Sequence, residues 1–285
     1  MRKTKKFVTY ILAFILTIGI IACLFSNLIS STIMKKQYIL HKLDEIDYYS
    51  KVNEVVEQNF EKYIGASGLE EEVIKNIVTK EKIEMDTKQI LTNMYDGLEE
   101  KISTDEIAEN LNTNIKKSLH GRELSKNEEE AVKKFIQKIC NEYESTILHT
   151  KYESTINKYY TSITKYIRLF TQGSMIITGL TIIALILINV SRFYRAINAV
   201  GVSLLSSGAI LSIANIYLNM KINVGTITIL NEMFSTLLRK ILSEILENVE
   251  KYGLLFVISG VVLIITSNLI HNIQKYGLKE KLGEK

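Results

Sequence analysis

The sequence predicts an all-α integral membrane protein: four transmembrane helices, an extracytoplasmic helical bundle between the first and second, and a stalk helix continuous with the second. Three observations predict it. Apolar residues gather into four blocks, near residues 7–34, 171–190, 197–218 and 253–270, each close to the roughly 20 residues that a bilayer core requires. Between the blocks, apolar residues recur at three- and four-residue steps, the period of an amphipathic helix. The chain also contains no proline, so no residue type forces a helix to break.

Orientation follows from the cations. Arg2, Lys3, Lys5 and Lys6 precede the first block, Arg192 and Arg195 join the second to the third, and Lys275, Lys279, Lys281 and Lys285 follow the fourth. Short loops rich in Lys and Arg stay on the cytoplasmic side, so both termini are expected there. Residues 35–168 carry 21 Lys/Arg against 25 Asp/Glu, and residues 219–252 carry four of each. Both segments are expected to be extracytoplasmic. The net charge of +4 is then a record of topology, and no basic face interleaved with aromatics points to nucleic acid.

The expected organisation is a cytoplasmic tail and first transmembrane helix (1–34), an extracytoplasmic helical domain (35–168), a transmembrane hairpin (169–218), an extracytoplasmic amphipathic helix (219–252), and a fourth transmembrane helix with a cytoplasmic tail (253–285). Block one follows basic residues as a signal peptide's apolar region would. Ile20-Ile21-Ala22-Cys23 resembles the lipobox of bacterial lipoproteins, which implies lipidation of Cys23. Leu24, Phe25, Leu28, Ile29, Ile33 and Met34 prolong the apolar run and favour an uncleaved anchor.

The stripe Ile39, Leu43, Ile46, Tyr49, Val52, Val56, Phe60 and Tyr63 predicts a helix continuing the first span, ending at Gly65-Ala66-Ser67-Gly68. Ser67 and Glu70 predict a cap for a helix reaching Val78. A further helix is expected over 81–102 with Ile83, Ile90, Met94 and Leu98 inward, and Ser103 with Glu106 cap one through Leu119. Ser125 and Glu128 have capping-box spacing, and from there to Val190 one helix about 100 Å long is expected, with Gly173 its bend. Its stripe, which includes Ile139, Tyr143 and Ile147, makes it a coiled-coil-like stalk of a five-helix bundle. Tyr143-Glu-Ser-Thr-Ile147 recurs as Tyr152-Glu-Ser-Thr-Ile156; nine residues advance a helix by half a turn beyond whole turns, so the copies face opposite ways.

After the hairpin turn at Ser191–Ala196, Ser203 with Ser207 and Gly208 with Ser212 have the four-residue spacing that lets helices approach. They predict packing within the chain, or a homodimer face. Over Thr226–Lys251, Leu230, Phe234, Leu237, Leu238, Ile241, Leu242, Ile245 and Val249 share one side. That side is expected on the stalk helices, or flat in the membrane interface.

No catalytic, cofactor-binding or metal residues are expected. His41, His120, His149 and His271 are scattered, without HxxxH or HExxH spacing. Glu70-Glu71-Glu72 and Glu128-Glu129-Glu130 lie in first helical turns, where they favour the helix dipole. Cys23 and Cys140 are too few for a disulfide framework. The central parts of the apolar blocks carry no Asp, Glu, Lys, Arg or His, which removes the usual marks of an ion pathway. The expected function is that of a non-enzymatic, multi-pass protein of the bacterial cell envelope, held in the lipid bilayer. Its outer helical domain would bind a protein partner or sense a ligand.

The order of tail, span, large outer domain and three further spans looks like the layout of the permease subunits of FtsX and MacB-type ABC systems. That resemblance implies transmission of ATP-driven motion by a partner ATPase, with the long helix as the moving stalk. It rests on layout and on no residue motif. Two departures are visible: only six residues precede the first apolar block, and the outer domain has no strand pattern.

Overall fold

A computed structural model of the chain describes residues 2–67, 69–98, 102–120, 122–148, 153–221, 224–228 and 232–281. Among these residues the protein is all-helical, 88% by content and without strands. The α-helices are α1 (Arg2–Ser31), α2 (Lys36–Glu45), α3 (Tyr48–Ser67), α4 (Lys80–Asp96), α5 (Asp105–Ser118), α6 (Lys126–Leu148), α7 (Glu153–Ile188), α8 (Tyr194–Lys221) and α9 (Glu232–Lys281). They divide into two units, the first of Met1–Met34, Lys165–Ile229 and Leu238–Lys285, the second of Lys35–Thr164 and Leu230–Leu237.

Four helices are long and apolar enough to cross a membrane, over Thr4–Ser31, Ser162–Ile188, Tyr194–Lys221 and Glu232–Lys275. In the first unit burial runs opposite to that of a water-soluble bundle. Phe14, Leu187, Ile213 and Ile265 are exposed while Ser203, Ser207 and Ser267 are buried. Lipid tails are as apolar as leucine, so helices gain little by hiding leucine from them; small residues and hydrogen bonds decide which faces meet. Two apolar layers fill the remaining interior. Ala13, Leu16, Leu185 and Ala199 make one; Leu24, Leu28, Leu211 and Val249 make the other.

α9 is one helix of 50 residues, about 75 Å long at 1.5 Å per residue. It covers both the amphipathic stretch and the fourth span, and an unbroken helix makes no sharp turn. Within the first unit its Val249 and Ile245 pack on Leu24 and Leu28 of α1 and Leu211 of α8.

The second unit has an ordinary aqueous plan. Val52, Val56 and Phe60 of α3, Ile83 and Ile90 of α4, Ile107, Leu111 and Ile115 of α5, and Ile139, Tyr143 and Ile147 of α6 are buried, each set spaced to keep one stripe inward. α3 packs on α4 and α6, and α5 on α6.

Three expectations about element ends need correction. The Ile39–Tyr63 stripe is real but its helix is not continuous: α1 stops at Ser31, and α2 and α3 are separated at Asp47, whose φ is 51°. Asp tolerates that left-handed backbone better than most residues, and its carboxylate accepts from Ser50 Oγ at 2.8 Å. The expected helix from Ser67 to Val78 shrinks to one 3-10 turn, Glu71–Val73. The chain enters left-handed backbone at Asn76, φ 57°, and Asn114 Nδ2 donates to the Val73 carbonyl at 3.1 Å. α4 stops at Asp96 because Gly97 takes a left-handed cap with φ 71°, leaving Leu98 exposed rather than inward. The Ser125–Val190 run comprises α6 and α7, whose junction, residues 149–152, lies outside the described residues. α7 itself passes through Gly173 without a break for 36 residues.

Candidate functional site

α1 is the hub of the first unit, because its two sides carry different small polar residues. One side meets α8. Ser203 Oγ lies 2.8 Å from the Ala13 carbonyl oxygen and Ser207 Oγ 3.2 Å from that of Thr17; each hydroxyl also reaches the carbonyl four residues back on its own helix, at 2.9 and 2.7 Å. Thr17 Oγ1 answers towards the Ser203 carbonyl at 3.5 Å. The other side of α1 meets α7: Cys23 Sγ is 3.4 Å from Thr178 Oγ1, Ser30 Oγ is 3.4 Å from Thr171 Oγ1, and Asn189 Nδ2 donates to Thr9 Oγ1 at 3.3 Å. α8 then meets α9 through glycine. A β-carbon on Gly208 would lie 2.5 Å from the Gly253 carbonyl oxygen, and one on Gly260 would lie 2.7 Å from that of Gly201. The pairs Gly201–Gly260 and Gly208–Gly253 step seven residues in opposite directions, so the two helices run antiparallel along a two-turn repeat.

These contacts place the small residues of α8 inside the chain. Ser203, Ser207 and Gly208 are buried, and Ser212 Oγ lies 3.0 Å from where a Gly253 β-carbon would be.

The second unit holds a buried polar network. Asp86 of α4 is 2% exposed. Its carboxylate accepts from Lys82 Nζ at 2.8 Å and from the Tyr143 hydroxyl at 2.5 Å, while Lys82 Nζ also donates to the Ser103 carbonyl at 3.2 Å. Three segments are tied at one point: α4, the entry to α5, and α6. A second cluster joins α3 to α6, with Asn59 Nδ2 donating to Glu142 Oε1 at 3.0 Å and the Tyr63 hydroxyl to Glu142 Oε2 at 2.9 Å.

Burial, followed by the bond to Asp86, pushes the Tyr143 pKa far above its ordinary value. Burial first, then the carboxylates of Asp44 and Glu84, pushes Tyr49 up to about 12. In the unfolded chain a tyrosine ionises near pH 10. A raised folded pKa contributes stability that is complete below the unfolded value and is lost as pH rises. The second unit is therefore expected to weaken from about pH 10 upward, by up to about 1.4 kcal/mol per pH unit for each such tyrosine. Far-UV circular dichroism melts between pH 8 and 11 measure this, and Tyr143→Phe should flatten the dependence.

The residues singled out in the sequence fall as follows. Cys23 is half-buried in the middle of α1, and Cys140 is buried in α6 with Sγ 3.9 Å from the Thr104 carbonyl. Burial raises the Cys140 pKa. The Ser125–Glu128 box forms in both directions, Ser125 N–H to Glu128 Oε2 at 2.9 Å and Glu128 N–H to Ser125 Oγ at 3.4 Å. Those bonds, with Arg122 behind them, lower the Glu128 pKa. His41 pairs with Glu45 at 3.1 Å, and His271 stacks on Tyr194 with ring centroids 4.4 Å apart. His149 lies outside the described residues, as do the side chains of the second Tyr-Glu-Ser-Thr-Ile copy. Among the described residues no group of three His, Cys, Asp or Glu side chains is placed to hold a metal ion. Asp86 was not read from the sequence. Its signal is position: it sits three residues after Ile83 and four before Ile90, on the apolar stripe itself.

No family model, no curated protein and no solved structure matches this chain.

Proposed function

We propose that this chain is a non-enzymatic, multi-pass protein of the cell envelope, with both termini cytoplasmic and residues 35–168 and 219–252 outside. Its helical unit binds a protein partner or senses an extracytoplasmic ligand, and its long helices carry the resulting change of position to the membrane unit. One observation supports this most. α7 and α9 each have residues in both units and are each a single helix, and an unbroken helix transmits rotation and translation that a loop would absorb. The partner class is another envelope protein or a second copy of the chain. In this reading residues 1–34 are an uncleaved anchor. The same two helices favour a second reading, mechanotransmission by a permease-like subunit of FtsX and MacB-type layout driven by a separate ATPase.

One set of full-length variants tests these readings in intact cells. In a Cys23→Ser/Cys140→Ser background, Met85→Cys, at a position 59% exposed on α4, is expected to react with a membrane-impermeant maleimide, and Lys275→Cys only after permeabilisation. The opposite pattern overturns the orientation. A photocrosslinking residue at Met85 is expected to give one reproducible protein adduct, and no adduct there or at Leu98 sinks the partner reading. An adduct from Arg192 to an ATPase installs the second reading. Loss of an N-terminal tag together with lipid incorporation at Cys23, read in a chain that keeps its cysteines, replaces the anchor by a lipoprotein.

A further inference from the structure

We propose that a cavity of about 300 Å³ at the Lys6 end of the first unit binds the phosphate of an anionic phospholipid. It lies among α1, α8 and α9, and its charge is of one sign: Lys6 and Arg195 line it beside the His271 ring, and no carboxylate does. Neither Lys6 nor Arg195 forms an ion pair among the described residues. The cationic head of Arg195 is held in place, with Cζ 5.8 Å above the Tyr194 ring. Tyr194 is held in turn, stacked on His271 and accepting at its carbonyl from Ser267 Oγ at 2.6 Å. The amides of Asn198 and Asn268 add hydrogen-bond donors to the same wall. Two cations, one of them set against an aromatic ring, with neutral donors beside them are what a phosphate diester needs.

Depth and shape favour a lipid over free phosphate. Lys6 and Arg195 stand within two residues of the starts of their apolar spans, and His271 stands four residues before the end of its own, so all three lie where a membrane meets water. From there the wall turns apolar through Ala13, Ala199 and Val202. Val202 is 41% exposed and Tyr10 72% exposed on the lipid-facing flank, which leaves an acyl chain a continuous path out of the cavity. Basic pockets between membrane helices hold anionic head groups by this combination. Phosphatidylglycerol fits, having one negative charge and no cation; the choline of phosphatidylcholine would be repelled by Lys6 and Arg195.

The test uses the purified full-length chain in nonionic detergent, with lipid binding read by native mass spectrometry and by the melting temperature. Phosphatidylglycerol is expected to bind at least tenfold more tightly than phosphatidylcholine and to raise the melting temperature. Lys6→Gln/Arg195→Gln is expected to lose that preference tenfold or more, while Lys165→Gln, which lies outside the cavity, keeps it. Equal affinity for the two lipids in the unaltered chain overturns the proposal whatever the variants do. So does an unchanged preference in a double variant that melts, without lipid, at the same temperature as the parent. Inorganic phosphate that stabilises the parent as strongly as phosphatidylglycerol does would assign the cavity to a free anion instead and overturn the lipid reading.

Discussion

Gly208→Leu is expected to separate α8 from α9 and to lower the unfolding temperature of the first unit by several degrees, while Gly179→Leu leaves it nearly unchanged. Even alanine at Gly208 would set a methyl 2.5 Å from the Gly253 carbonyl oxygen and 2.7 Å from the Val257 backbone nitrogen. Backbone of a packed helix cannot step aside as a side chain can. Alanine gains about 1 kcal/mol over glycine in helix propensity, but overpacking costs roughly 1–3 kcal/mol and more when both partners are rigid, so the clash wins. Around Gly179 a β-carbon would meet nothing within 4 Å, and there the propensity gain stands alone. The two native cysteines make the measurement specific, since Cys23 lies in the first unit and Cys140 in the second. A thiol-reactive dye on a Cys140→Ser chain reports only the first unit as it melts. Equal melting of Gly208→Leu and the parent would mean that α8 and α9 are not held along this seam.

Asp86→Ala is expected to cost the second unit about 3–5 kcal/mol, the range for removing one partner of a buried ion pair. Lys82, whose side chain is 11% exposed, would keep the Ser103 carbonyl but no counter-charge, and the buried Tyr143 hydroxyl would lose its acceptor. Tyr143→Phe should cost less, about 1–3 kcal/mol, because it leaves Asp86 paired with Lys82. Since a whole domain is stable by only about 5–15 kcal/mol, Asp86→Ala brings the unit close to unfolding. Dye labelling of Cys140 on a Cys23→Ser chain reads both variants. Asp86→Ala melting no lower than Tyr143→Phe would show that the ion pair does not hold the three segments together.

Much of the fold was legible because lipid and water each impose a simple period. Four runs of about 20 apolar residues and the stripe of Val52, Val56 and Phe60 need no knowledge of neighbours. The Ser125–Glu128 box is equally local, and it forms where its spacing said. What escaped was set by partners. The small residues of α8 read as four-residue pairs, Ser203 with Ser207 and Gly208 with Ser212. The structure divides them by neighbour: Ser203 and Ser207 face α1, and Gly208 and Ser212 face α9, Gly208 in a seven-residue repeat with Gly201. A period of four and one of seven share a helix face, so one sequence cannot say which neighbour claims which residue. The breaks at Asp47, Asn76 and Gly97 escaped for a different reason. Each turns on a single residue entering left-handed backbone, and Asn, Asp and Gly sit in helices and at their ends alike. Asp86 escaped because a carboxylate counts as surface until its two donors, one of them 57 residues away, are known.

The serine seam also sets a timetable. Ser203 and Ser207 reach the carbonyls of residues made 190 positions earlier. A ribosome adding about 5–20 residues per second leaves α1 in the bilayer for roughly 10–40 s before its partner exists. For that interval the side of the first span that faces α8 has no partner, and Thr17 is bonded back to its own Ala13 carbonyl at 3.0 Å, whereas the side that faces Thr171 and Thr178 finds α7 sooner. The first unit therefore closes late in synthesis, after residues 35–164, the larger part of the second unit, have been made.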